Sequence, residues 1–387
     1  MRDKIQEKLK IVVLMGSPYL YGSEKANIDV FASFKEKYNY VDVLFLTDIY
    51  QGDDVMHPYL DAQELTYIPV HYHYRFMKNM TALEWIRKIL KVFLGSISLL
   101  KVYIRYKPTH IYVSKPEYFL NFLPVLYFSK KPIIYRIGDS PILHNMPQRK
   151  LWKFIIKKVS KIICVSKFIE KQVHLSGAET SKTEVIYSRP HENKNRCLSA
   201  NREINEFFTV LYVGQIGKHK GVDLFVEAAV EICKRYDNII FNIAGKIDKH
   251  DNFSQEQIKI VNKSALGKRI KFLDYVSNVD DLYEKSNLHV CPSVYDEPLA
   301  NVLIDAKKHA IPSIIFNVGG LPEIIEHKVD GYICNEKNAI NIEKAIEYYY
   351  INQEKCIEMG EKAFFSLEKL DINRFPERWL NVFTKTI

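Results

Sequence analysis

Short apolar runs rich in Ile and Val recur through the first half of the chain, at residues 10–16, 41–47, 109–114, 131–138, 161–166 and 183–188. Runs this short that are rich in Ile and Val, without strict alternation, predict strands buried on both faces of a parallel sheet. Residues 23–38 instead show helical spacing, with Ile28, Phe31 and Phe34 on one side and Lys25, Lys35 and Lys37 elsewhere. A strand, a loop bearing Gly16 and Gly22, then a helix is how a doubly wound domain opens. The polar stretch from Pro190 to Glu206 has no periodic apolar face and reads as a linker. From Phe207 a second strand and helix alternation runs to about Glu368, and Phe375–Ile387 forms one more amphipathic helix. The pattern predicts an α/β protein of two domains, residues 1–190 and 207–368, followed by a C-terminal helical segment, 369–387. No repeat of fixed period interrupts it.

Two segments depart from this alternation. Residues 75–107 carry eight basic side chains and one acid, Glu84, around Trp85, Ile86, Ile89, Leu90, Val92, Phe93 and Leu94. Residues 149–161 carry six basic side chains and no acid around Leu151, Trp152, Phe154, Ile155, Ile156 and Val159. Each could lie in an anionic membrane interface, or pack its apolar face on the sheet and leave its lysines in water. Net charge is +9, but it is uneven: 29 Lys and Arg against 17 acids up to Pro190, and 26 against 29 after it. The basic excess belongs to the first half, where an anionic acceptor or membrane surface would meet it. Nucleic acid, suggested by charge alone, is not an expected partner.

The 47% hydrophobic fraction excludes a disordered chain. Met1–Lys10 is highly charged and only five apolar residues follow, too few for a signal-peptide core, so a cytoplasmic protein is expected. The six cysteines show no Cys-x-x-Cys spacing, which argues against zinc or a disulfide framework. His71 and His73 would share a face of an extended segment but make half a metal site at most. No metal or other cofactor is expected.

The candidate chemistry gathers at Tyr295-Asp296-Glu297-Pro298-Leu299-Ala300-Asn301-Val302-Leu303-Ile304-Asp305. Pro298 suits the first position of a helix, which would leave the next backbone N–H groups free to hold a phosphate. On such a helix Glu297 and Asp305 lie about 12 Å apart along the axis and about 80° apart around it, a span that fits a diphosphate with a sugar at each end. A capped surface helix carrying two unrelated acids is the alternative reading.

The order of segments from Val213 to Ile333 resembles the C-terminal half of the retaining GT-B glycosyltransferases of family 4. It comprises Val213-Gly214-Gln215 with Lys220-Gly221, Ile243-Ala244-Gly245, Phe272-Leu273-Asp274-Tyr275-Val276, and Leu288-His289-Val290-Cys291-Pro292-Ser293. The Glu297 to Asp305 element follows, then Val318-Gly319-Gly320-Leu321-Pro322-Glu323 and Asp330-Gly331-Tyr332. The resemblance implies the GT-B fold: two Rossmann-like doubly wound domains facing a cleft, with the last helix returning to the first domain. It implies a UDP- or GDP-sugar donor in the second domain and a glycan or lipid-linked acceptor against the first. Lys220 would meet the phosphates, Glu297 the donor sugar, Asp305 the ribose, and Tyr275 and Val276 the base. Leu299, Ala300 and Asn301 would line the helix start, Gly319 and Gly320 would approach the donor, and Gly22 would approach its phosphates from the first domain. Asp139 would face the reaction centre.

The chain departs from the family pattern at three places. Gln215 stands where an arginine is usual, which leaves phosphate binding to Lys220, the helix N-terminus and Lys218. Gly138 stands where a histidine precedes the aspartate, and Asp305 is one methylene shorter than the usual glutamate. The expected function is retaining transfer of a sugar in surface-polysaccharide synthesis, by an enzyme that is cytoplasmic or peripheral on the inner face of the cell membrane. A catalytically silent partner that keeps the fold and binds a glycan is the alternative.

Overall fold

The computed structural model describes residues 8–17, 20–50, 54–72, 81–189, 206–248, 250–264 and 266–386. The chain divides into two compact units, residues 1–187 with 373–387, and residues 188–372. Most of the expected linker, together with His73 and Cys197, lies outside the described residues.

In the first unit the strands are β1 (Leu9–Leu14), β2 (Val41–Asp48), β3 (Thr66–Val70), β4 (His110–Val113), β5 (Ile133–Ile137), β6 (Lys161–Cys164) and β7 (Thr183–Val185). Its helices are α1 (Gly22–Lys37), α2 (Met56–Ala62), α3 (Ala82–Tyr106), α4 (Pro116–Asn121), α5 (Leu123–Phe128), α6 (Met146–Lys158) and α7 (Lys167–Leu175). The second unit holds β8 (Phe208–Val213), β9 (Ile239–Ala244), β10 (Ile270–Asp274), β11 (Leu288–Cys291), β12 (Ser313–Phe316) and β13 (Gly331–Cys334). Between and after them come α8 (Val222–Arg235), α9 (Asn252–Lys263), α10 (Asp280–Glu284), α11 (Asn301–Lys308), α12 (Ala339–Ile351) and α13 (Gln353–Ser366). The last helix, α14 (Phe375–Thr384), belongs to the first unit.

Both sheets are parallel throughout, in the orders β3-β2-β1-β4-β5-β6-β7 and β10-β9-β8-β11-β12-β13. These are two Rossmann-like domains of the GT-B kind. The unbroken apolar runs have the cause expected of them: every residue of β4, β5, β11 and β12 is buried.

The apolar face of α1, Ile28, Phe31 and Phe34, is fully buried in one cluster with Phe375, Trp379, Val382 and Phe383 of α14. Phe383 meets Phe34 edge to face at 5.9 Å, and Trp379 lies 5.8 Å from Tyr112 of β4. The C-terminal helix is therefore part of the first unit's core. Truncating one of these aromatic side chains to alanine costs about 3–5 kcal/mol. Gly22, expected in a loop, is instead the first residue of α1: Tyr21 is the N-cap, and its N–H donates to Glu24, which pulls the helix start back to Gly22.

The two basic segments behave differently. Trp152 and Ile155 of α6 are buried, and Trp152 Nε1 donates to the Ser176 carbonyl at 3.1 Å, so this helix keeps its main apolar face inside. On α3 only Gly95, Ser96, Leu99 and Val102 are buried. The five described cysteines are all buried and unbridged. Among the described residues no helix is long and apolar enough to cross a membrane.

Candidate active site

Open parallel sheets bind ligands at the carboxyl ends of their strands, where the strand order reverses. In the second unit that point lies between β8 and β11. The loop after β8 runs through Gly214, Gln215 and Lys220; the loop after β11 runs through Ser293, Tyr295 and Glu297. Val294 N–H donates to the His219 carbonyl at 3.1 Å and ties the two loops together. Tyr212 OH donates to the Gln215 carbonyl at 2.7 Å and pins the first loop to its own strand.

Two glycines make the packing possible. Gly221 has φ +69°, and a Cβ there would strike the Pro292 carbonyl oxygen. Gly319 has φ +53°, and a Cβ there would strike the backbone of Glu297. Side chains are excluded at both positions by backbone conformation and by space.

The helix expected to begin at Pro298 begins at Asn301, with Ala300 as its N-cap. The Glu297 carbonyl would have to accept the Asn301 N–H for Pro298 to open the helix. It accepts the Gly320 N–H instead, at 2.7 Å. Tertiary contact with the glycine loop thus overrides the local preference of proline. Glu297 is a loop residue, and a shared helix axis does not relate it to Asp305.

The carboxylate of Glu297 is 7% exposed. Its two oxygens accept from Lys220 Nζ at 2.8 and 2.9 Å, and one also accepts from Ser293 Oγ at 3.0 Å. Lys220 Nζ further bonds Tyr295 OH at 3.1 Å and lies 4.9 Å from the centre of that ring. Burial alone would lower the Lys220 pKa. The Glu297 charge, with the hydrogen bonds that the ammonium donates to Glu297 and Tyr295, outweighs it and holds the ammonium above its ordinary value. Tyr295 is pushed up to about 12, by burial first and then by Glu297, so its hydroxyl stays protonated at neutral pH. His219 meets the Tyr295 ring edge-on, and burial and then Lys220 lower its pKa, which keeps it neutral near pH 7.

The structure therefore brings Lys220, Glu297, Gly319 and Gly320 together. Leu299, Ala300 and Asn301 lead from this cluster into α11, whose N-terminus has no side-chain cap. Gln215 is exposed in the β8 loop, and Tyr275 (66% exposed) and Val276 follow the end of edge strand β10. Asp305 is half-buried on α11, where its charge, after burial, helps raise the Tyr283 pKa. Asp139 and Gly22 belong to the first unit: Asp139 is exposed just after β5, and helix capping there is done by Asn145 of α6.

Ser293, His219 and Tyr295 were not singled out as site residues from the sequence. Tyr295 lies two positions before Glu297 and Ser293 four before it. Only the path of the loop turns Ser293 onto the Glu297 carboxylate and Tyr295 onto Lys220. Among the described residues no group of three or more His, Cys, Asp or Glu could hold a metal ion.

A buried carboxylate and an ammonium at a switch point, next to an uncapped helix start, can accept hydroxyl protons and face a phosphate at once. Residues 197–364 match the model of the family described as Glycosyl transferases group 1. The fold matches that of Anabaena HepE in complex with UDP, with a TM-score of 0.78, 15% identity, and coverage of 97% of this chain and 100% of that one. An uncharacterized glycosyltransferase of Haemophilus influenzae is 25% identical over 236 residues, 59% of this chain and 65% of that protein. A Campylobacter jejuni protein named GalNAc-alpha-(1->4)-GalNAc-alpha-(1->3)-diNAcBac-PP-undecaprenol alpha-1,4-N-acetyl-D-galactosaminyltransferase is 25% identical over 242 residues, 60% of this chain and 63% of that protein. The match spans less than two thirds of either relative's length. Residues 197–364 are thus similar to the group 1 glycosyltransferases, and the chain as a whole has the GT-B fold.

Proposed function

We propose that the protein is a retaining glycosyltransferase, of the hexosyltransferase type, that moves a sugar from a nucleotide-diphosphate donor to a glycan or lipid-linked acceptor in surface-polysaccharide synthesis. The observation that carries this reading is the Glu297–Lys220 pair, buried at the β8/β11 switch point and flanked by Gly319 and Gly320. In this reading the second unit, 207–368, holds the donor. Lys220 and the start of α11 take the diphosphate as charge builds on the leaving group. Glu297 accepts hydrogen bonds from the donor sugar, Asp305 from the ribose, and Tyr275 and Val276 shelter a uracil or guanine base. Gln215 supplies an uncharged hydrogen bond, and Leu299, Ala300, Asn301, Gly319 and Gly320 close the backbone around the donor.

The first unit, with α14 in its core, takes the acceptor, with Gly22 and Asp139 as its candidate residues. No metal is required, since Lys220 and the helix N–H groups supply the positive charge. HepE was crystallised with UDP and the Campylobacter relative is named for an undecaprenol-diphosphate acceptor, which supports a UDP-sugar and a lipid-linked acceptor here. Such an acceptor places the protein in the cytoplasm, peripheral on the inner face of the cell membrane.

A second reading, a catalytically silent GT-B partner that binds a glycan, draws on Gln215 and Gly138. Hydrolysis of UDP- and GDP-sugars separates the two. The transferase reading expects slow release of nucleotide that disappears in Glu297→Gln. Neither hydrolysis nor transfer from any nucleotide sugar would favour the silent partner.

A further inference from the structure

We infer that α3 is a membrane-docking element: its outward face inserts into the headgroup layer of an anionic bilayer. The inference extends the reading of a lipid-linked acceptor and names the surface that would meet the lipid.

Ile86, Leu90, Phe93, Ile97, Leu100 and Ile104 recur at alternating spacings of four and three, which aligns them along one side of a helix. The unit's core takes the other side, through Leu99, Val102 and Gly95, where a Cβ would come within 2.5 Å of the His71 carbonyl oxygen. Apart from half-buried Ile97 the outward line is left in solvent: Ile86 is 62% exposed, Leu90 54%, Phe93 61%, Leu100 50% and Ile104 66%. Tyr103 OH bonds Ser129 Oγ at 2.5 Å and fixes the end of α5 against α3. There Tyr127 is 58% exposed and Phe128 80%, so the apolar surface continues beyond the helix.

Single exposed apolar side chains are ordinary, but a continuous line over five turns of one helix marks a surface that meets something apolar. Charge decides what it meets. Arg87, Lys88, Lys91, Lys101 and Arg105 accompany the apolar line, and Lys130 and Lys131 are exposed just past Phe128. The one acid of the helix, Glu84, is held by the backbone and side chain of Thr81 at its start. A second copy of the chain would bring two such basic flanks together; an anionic lipid surface neutralises them. The same charges keep the helix from crossing the bilayer, although 25 residues would be long enough. It therefore lies along the interface.

The test is vesicle flotation of the full chain, with phosphatidylcholine alone and with phosphatidylcholine plus phosphatidylglycerol. The inference expects about ten-fold or more binding to the anionic vesicles, weakened by added salt. Ile86→Ser/Leu90→Ser/Phe93→Ser is expected to abolish it, and Arg87→Gln/Lys91→Gln to abolish the preference for anionic lipid. An unchanged melting temperature shows that each variant is folded. Equal binding to both vesicles, binding to neither, or a wild-type dimer that the triple serine variant dissociates would each overturn the inference. Nucleotide-induced thermal stabilisation is read separately. A chain that floats but is not stabilised by nucleotide keeps the docking surface and loses the transferase reading. Stabilisation without flotation does the reverse.

Discussion

Each unit places an acid and a lysine at its own switch point, with their positions exchanged. In the first unit the acid follows the first strand and the base follows the fourth: Glu24 in the first turn of α1, 3% exposed, bonds Lys115 Nζ at 2.6 Å. In the second unit the base follows the first strand and the acid follows the fourth, as Lys220 and Glu297. Shared topology brings the same two charges together twice, but the loops give them different work. Glu24 also accepts the Tyr21 N–H at 3.2 Å and Ser23 Oγ at 2.8 Å, so its carboxylate closes the cap of α1. Glu297 caps nothing. Its backbone is held by the glycine loop, and its carboxylate meets Lys220 and Ser293 beneath the half-exposed Tyr295. The first pair secures a helix start; the second secures none.

Substitutions at matched positions test this contrast. The largest effect is expected for Glu297→Gln, which should lower turnover of a nucleotide sugar by about 10²–10³-fold, as removal of one preorganised polar group at a reacting centre does. Glu24→Gln should leave turnover within about ten-fold and lower the melting temperature instead, because it weakens a cap and uncouples a buried pair. Steady-state assays with thermal melts distinguish the two, and equal losses of turnover would erase the contrast.

Glycine gives the next comparison. Gly319→Ala forces a left-handed residue into the Glu297 backbone and should cost about 3 kcal/mol or more, visible in a denaturant midpoint. Gly22→Ala sits at an ordinary helix start and should change stability by about 0.5 kcal/mol at most.

A further effect is electrostatic and shared by both units. Burial lowers His110 of β4 to about 4 and His289 of β11 to about 3, below the 6.5 of an exposed imidazole. The unfolded chain then binds more protons than the folded one, so stability rises with pH across that window and falls as pH drops below about 6.5. The loss is at most about 1.4 kcal/mol per pH unit for each histidine. Calorimetry from pH 7 to pH 4 should show it, and His289→Asn should flatten the second unit's share. A slope unchanged by that substitution would contradict the assignment.

The two-domain α/β fold was legible because buried parallel strands write themselves as short Ile- and Val-rich runs, whereas the return of α14 to the first unit was implied by the family resemblance and not by its spacing. The ordered segments from Val213 to Ile333 picked out Lys220 and Glu297 before any coordinates did. Three things were not legible. The start of α11 was misplaced because Gly320, distant in sequence, takes the Glu297 carbonyl. Ser293, Tyr295 and His219 escaped notice because their contacts with Glu297, Lys220 and the Tyr295 ring are set by loop path and not by spacing. The fates of α3 and α6 could not be separated, since both carry basic and apolar residues and only packing shows which face is covered.

The central claim is that the lysine of the second switch point, and not that of the first, holds a nucleotide diphosphate. Isothermal titration of UDP and GDP into the wild type, Lys220→Met and Lys115→Met tests it directly. One of the two nucleotides should bind the wild type and Lys115→Met alike, and Lys220→Met about ten-fold or more weakly, the loss of one charged phosphate contact. Equal affinity for wild type and Lys220→Met, or a loss confined to Lys115→Met, would contradict the account.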